Sequence, residues 1–73
     1  MDDMVRATSA VRRGVERALV LADMPFGSYQ ASVTEGVHNA VRLVQEGGAQ
    51  AVKLEGGEPV LELVQRLTNS GIP

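Results

Sequence analysis

Apolar residues in this chain alternate between helical spacing and short unbroken runs, and the changes of period divide it into five segments. Met4, Ala7 and Val11 recur at helical spacing, with Asp2 and Asp3 in the first turn and Arg12 and Arg13 in the last. Those charges complement the helix dipole at both ends, which predicts a helix over 2–13 with Gly14 as its left-handed stop. Ala18-Leu19-Val20-Leu21-Ala22 shows no stripe and is too short for a helix, so it reads as a buried strand ended by Asp23. Pro25, Gly27 and Ser28 mark 24–30 as a loop. Ser32 followed by Glu35 is a capping-box signature, and Val33, Val37, Ala40, Val41 and Val44 form the apolar stripe of a second helix. Gly47-Gly48 ends it. Residues 51–55 read as a second strand, Gly56-Gly57 as a turn, and Pro59 as the first turn of a third helix with Val60, Val64 and Leu67 inward. Asn69-Ser70-Gly71 closes that helix, and Ile72-Pro73 reads as the approach to another strand.

The order helix–strand–helix–strand–helix, with strand starts 33 residues apart (18 to 51), predicts an α/β fold with parallel strands joined by a crossover helix. Two parallel strands keep two open edges, and three helices cannot cover both faces and both sides of them. The expectation is therefore a piece of a larger repeating α/β fold, a (β/α)8 TIM barrel. The chain would be a partial barrel domain over 1–73, roughly 30% of the whole.

Composition narrows the function. There is no cysteine, which excludes disulfide scaffolds, thiolate metal sites and cysteine nucleophiles. The net charge of −2 and the lack of a basic block argue against nucleic acid as a partner. No apolar run approaches a membrane span and no leader is evident, so a soluble, cytoplasmic chain is expected. Phe26 and Tyr29 are the only aromatics and share one loop, where they read either as a plug of the barrel top or, slightly favoured, as the wall of a substrate pocket. The core must come from aliphatic residues and methionine.

Sites in α/β proteins sit at the C-terminal ends of parallel strands, and here those positions hold Asp23, Lys53 and Glu55. Lys53 is the only lysine and interrupts an otherwise apolar run. Strand alternation sends Lys53 and Glu55 to one face and Val52 and Leu54 to the other, so Asp23 can meet the first pair from the adjacent strand. One reading is a buried ion pair that satisfies itself. The other is a hard-cation site in which two carboxylates hold Mg²⁺ and the lysine takes a substrate carboxylate. His38, without a second ligand at useful spacing, reads as solvent-facing. Gly56-Gly57 reads as a tight turn rather than an anion cradle, and the Arg12-Arg13 pair as a solvated helix end.

Two motifs then resemble a known family. Ala22-Asp23-Met24-Pro25-Phe26-Gly27-Ser28-Tyr29 and Ala51-Val52-Lys53-Leu54-Glu55-Gly56-Gly57, separated by one helix, are similar to the ketopantoate hydroxymethyltransferases. Ala10-Val11-Arg12-Arg13-Gly14 and Gly71-Ile72-Pro73 fit the same family. The resemblance implies a (β/α)8 barrel, oligomeric and cytoplasmic, that moves a hydroxymethyl group from 5,10-methylenetetrahydrofolate to 3-methyl-2-oxobutanoate through a Mg²⁺-stabilised enolate. It implies that Asp23 serves the metal and contacts the oxo-acid, that Lys53 binds the oxo-acid, and that Glu55 binds the metal. It also places a further aspartate–serine pair before Met1, and the general base and folate-binding residues downstream, so a 73-residue segment is expected to be inactive and marginally stable alone. The competing readings are a related Mg²⁺-dependent oxo-acid lyase or mutase barrel, and a non-catalytic α/β interaction module whose three charges form an internal cluster.

Overall fold

The computed structural model describes all 73 residues, Met1 to Pro73. Its elements run α1 (Asp2–Gly14), β1 (Leu21–Asp23), α2 (Val33–Gln45), β2 (Ala51–Lys53) and α3 (Leu61–Asn69), with a single 3₁₀ turn at Glu58–Val60 before α3. The strands are parallel, in the register Leu21↔Ala51, Ala22↔Val52, Asp23↔Lys53. Two bonds extend the ladder past the strand ends: the Gln50 N–H donates to the Val20 carbonyl (2.9 Å) and the Met24 N–H to the Lys53 carbonyl (2.8 Å). The α/β class and the five-element order thus match the sequence pattern. No helix is long and apolar enough to cross a membrane.

Both strands are shorter than the apolar runs that predict them. Ala18 and Leu19 precede the sheet and are exposed, Leu19 at 66%. Leu54 and Glu55 follow the last paired residue. Pairing needs a partner at the same height, and the register aligns only three residues on each strand. On the far side of β2, the Val52 N–H donates to the Pro73 carbonyl at 3.1 Å, so the chain after α3 does return to the sheet edge.

Helix faces depart from the stripes by about one residue at two places. In α1 the buried positions are Val5 and Thr8, while Val11 is 55% exposed. Thr8 is held by its hydroxyl, which donates to the Met4 carbonyl at 2.7 Å. In α3, Leu63 and Leu67 are buried and Val64 is 42% exposed. A sequence of mixed apolar residues admits neighbouring wheel assignments, and contact with α2 selects Leu63. Gly14 lies inside α1 rather than at a left-handed stop, and Val15 ends the helix in extended conformation. Of the capping box, the Ser32 half forms, with the Glu35 N–H donating to Ser32 Oγ at 3.0 Å.

The core joins Val5, Ala22, Met24, Tyr29, Ala40, Leu43, Ala49, Leu63, Leu67 and Ile72. Alternation along β1 puts Ala22 and Met24 in this core and turns Leu21 and Asp23 outward. The helices therefore cover one face of the sheet, and the other face carries the charged residues.

Candidate functional site

Asp23 and Lys53 are register partners at the C-terminal ends of β1 and β2, so their side chains leave the same face of the sheet. Glu55, two residues beyond Lys53, returns to that face. Lys53 Nζ lies 3.4 Å from Asp23 Oδ1 and 3.4 Å from Glu55 Oε1. The structure thus brings together all three residues that the sequence singles out. The ammonium is held protonated above its ordinary range, first by the Asp23 carboxylate and then by that of Glu55.

Within this chain the cluster lies at the surface. Asp23, Lys53 and Glu55 keep 64%, 51% and 81% of their side-chain surface exposed. Exposed pairs at this separation add little to stability. No group of three or more His, Cys, Asp or Glu side chains is placed to hold a metal ion, and the cation that meets both carboxylates is the Lys53 ammonium. Two carboxylates are a donor set that Mg²⁺ accepts, since it keeps several waters and takes only one or two protein carboxylates.

The loop after β1 builds the rest of the site. Pro25 to Ser28 form a tight turn in which the Ser28 N–H donates to the Pro25 carbonyl at 3.0 Å. Gly27 at φ 88° supplies the positive φ that the third position of such a turn requires. The Ser28 hydroxyl also donates to Pro25 O (2.6 Å), and the buried Asn39 amide of α2 donates to Ser28 O (2.7 Å). The loop is therefore tied to the helix behind it. Its tip carries Phe26, 95% exposed. A cleft of about 190 Å³ lies between this loop and the end of β2, lined by Asp23, Phe26, Tyr29, Gln30, Lys53 and Glu55 among others.

Tyr29 does more than line a pocket. Its ring is buried in the core, and its hydroxyl accepts from the Glu55 N–H (2.9 Å) and donates to the Glu55 carbonyl (3.1 Å). Sequence reasoning found the aromatic loop but missed this bond and the Asn39 tether. The one available signal for Asn39 was a polar residue beside an otherwise apolar stripe. His38 is exposed. Gly56-Gly57 forms the turn into the short 3₁₀ segment.

The family model described as ketopantoate hydroxymethyltransferase matches residues 1–73. A relative from Thermobifida fusca is 56% identical over 73 residues, and ones from Acetivibrio thermocellus and Pyrococcus abyssi are 59% and 60% identical. All three carry the name 3-methyl-2-oxobutanoate hydroxymethyltransferase. Each match covers 100% of this chain and 26% of the relative, so the chain spans about a quarter of their length.

Proposed function

Because this chain belongs to the ketopantoate hydroxymethyltransferase family, we propose that it is the portion of such an enzyme that holds the oxo-acid and offers carboxylates to Mg²⁺. The whole protein, in this reading, is a (β/α)8 barrel that transfers a hydroxymethyl group from 5,10-methylenetetrahydrofolate to 3-methyl-2-oxobutanoate, giving 2-dehydropantoate. The observation that carries the reading is the meeting of Asp23, Lys53 and Glu55 at the ends of two parallel strands, on an exposed face beside a cleft.

The reaction needs a proton removed from the carbon next to a ketone and bonding of that carbon to the one-carbon unit; water supplies the hydroxyl, both carbon–nitrogen bonds to the folate break, and tetrahydrofolate leaves with its nitrogens protonated. The difficulty is the charge that develops on the ketone oxygen, and its electrostatic stabilisation is the dominant requirement. Mg²⁺ held by Asp23 and Glu55 would supply Lewis-acid polarisation of that ketone. Lys53 neutralises the substrate carboxylate. Its raised pKa keeps it an ammonium at neutral pH, which suits it to anion binding and unsuits it to proton abstraction. In this reading the general base lies downstream of these 73 residues, as the family resemblance implies. Asp23 sits where it can face both the metal and the oxo-acid, and the tied loop at Pro25–Ser28 gives the cleft a fixed wall.

The test is a graft in which residues 1–73 replace the matching stretch of the Thermobifida fusca relative. Expected is formation of 2-dehydropantoate that depends on added folate co-substrate and on Mg²⁺. Lys53→Ala in the graft should raise KM for the oxo-acid, and Glu55→Ala should abolish Mg²⁺-dependent binding of it in calorimetry. A folded graft with no transfer would overturn the reading, and turnover of oxo-acid without any folate would favour a lyase or mutase instead.

A further inference from the structure

The sequence offers no explanation for how Glu55 is held in place. It stands past the end of β2, where the last ladder bond is Met24 N–H to the Lys53 carbonyl, and is followed by Gly56 at φ 139° and by Gly57. A residue so placed, between a strand end and two glycines, has little reason to keep one conformation. Yet both of its backbone polar groups are met by a single side chain, the Tyr29 hydroxyl, from 26 residues away. That hydroxyl is itself fixed, because the Tyr29 ring is 7% exposed within the core and the loop next to it is tied to Asn39.

We propose that Tyr29 is a positioning residue for Glu55, and that the double bond from its phenol to the Glu55 backbone sets where the Glu55 carboxylate sits relative to Asp23 and Lys53. The inference rests on the metal-binding reading of Glu55 and extends it to a residue whose hydroxyl acts through the Glu55 backbone. Without the hydroxyl, Glu55 is still present and still acidic. Its carboxylate then samples a wider volume on a glycine-flanked segment, and the two-carboxylate donor set is formed only part of the time. The same bond couples the β1–α2 loop to the β2–α3 loop, which form the two walls of the cleft.

Tyr29→Phe tests this in the full-length graft, because it removes the hydroxyl and keeps the buried ring. Three quantities are read: Mg²⁺ affinity by calorimetry, hydrogen exchange of the Glu55 amide, and melting temperature. Expected are Mg²⁺ binding weaker by about tenfold, as for loss of other groups that orient metal ligands, faster exchange at Glu55, and a melting point close to that of the parent. In steady state, kcat at saturating Mg²⁺ should recover while the Mg²⁺ requirement stays high. Thr68→Val, which removes a hydroxyl bonded to the Val64 carbonyl on exposed α3, should change none of these. Faster Glu55 exchange with unchanged Mg²⁺ affinity would overturn the proposal, as would a fall in melting point that accounts for the whole loss. A parent graft that binds no Mg²⁺ would remove the reading beneath it as well. The exchange of the Glu55 amide would still report separately whether the phenol clamps that segment.

Discussion

Arg42 on α2 donates to Asp2 on α1 at 2.9 Å and to Glu46 one turn onward at 3.0 Å. The Asp2 carboxyl is held below its ordinary value of 3.8, by the hydrogen bond from Arg42 first and by its charge next. A depressed carboxyl stabilises the fold above the unfolded value and loses that contribution as pH falls through the folded one. The Asp2 midpoint, followed by NMR, is therefore expected below 3.8, and Arg42→Gln should return it toward that value. High salt should shrink the difference, since the Asp2 end is exposed to solvent and the Arg42 end only partly covered. Lys53 carries the opposite sign. Its pKa lies above 10.5, so its pairing contributes below that pH and fades as pH rises through the raised value. Asp23 is the larger cause, so Asp23→Asn should lower the Lys53 midpoint more than Glu55→Gln does. An equal or reversed order would contradict the geometry of the cluster.

Helix α2 shows what an element owes to its neighbours. Its cap, stripe and length follow from sequence, and Ser32→Ala should cost about 1 kcal/mol in chemical denaturation of the graft. Gly36 obeys a different rule. A Cβ there would come within 2.8 Å of Leu63 Cδ2 on α3 and 3.1 Å of Tyr29 Cβ. On propensity alone, Gly36→Ala should stabilise the helix by about 1 kcal/mol. Overpacking costs about 1–3 kcal/mol, so the net effect is expected to be a loss. Adding Leu63→Val, which withdraws the two methyls nearest the new carbon, should recover part of it. If Gly36→Ala instead raises the melting point, α2 and α3 are not packed as closely as the structure has them.

For the molecule as a whole, one covered face and two strand edges that are open apart from the Val52–Pro73 bond set the stability. Only 17 of 73 residues are buried, while Val11, Leu19, Leu21 and Val64 are all more than 40% exposed. The chain by itself is expected to unfold over a broad temperature range and to associate as its concentration rises, because unpaired strand edges recruit one another. Circular dichroism with sedimentation at several concentrations reads both. A sharp, concentration-independent transition of a monomer would show that three helices on one side suffice.

The amino-acid order determined the elements, their parallel arrangement and the three charged residues at the strand ends, because period, caps and chain-breaking residues are local and the alternation of a strand fixes a side chain's face. It did not decide which neighbouring residue of α1 or α3 turns inward. Mixed apolar stretches allow adjacent wheel positions, and only contact with α2 and the sheet selects Val5 and Leu63. Strand length was likewise decided by register across the sheet. The bond between Tyr29 and Glu55 links residues 26 positions apart, and no pattern of period or propensity encodes a contact that exists only once both loops are folded against each other.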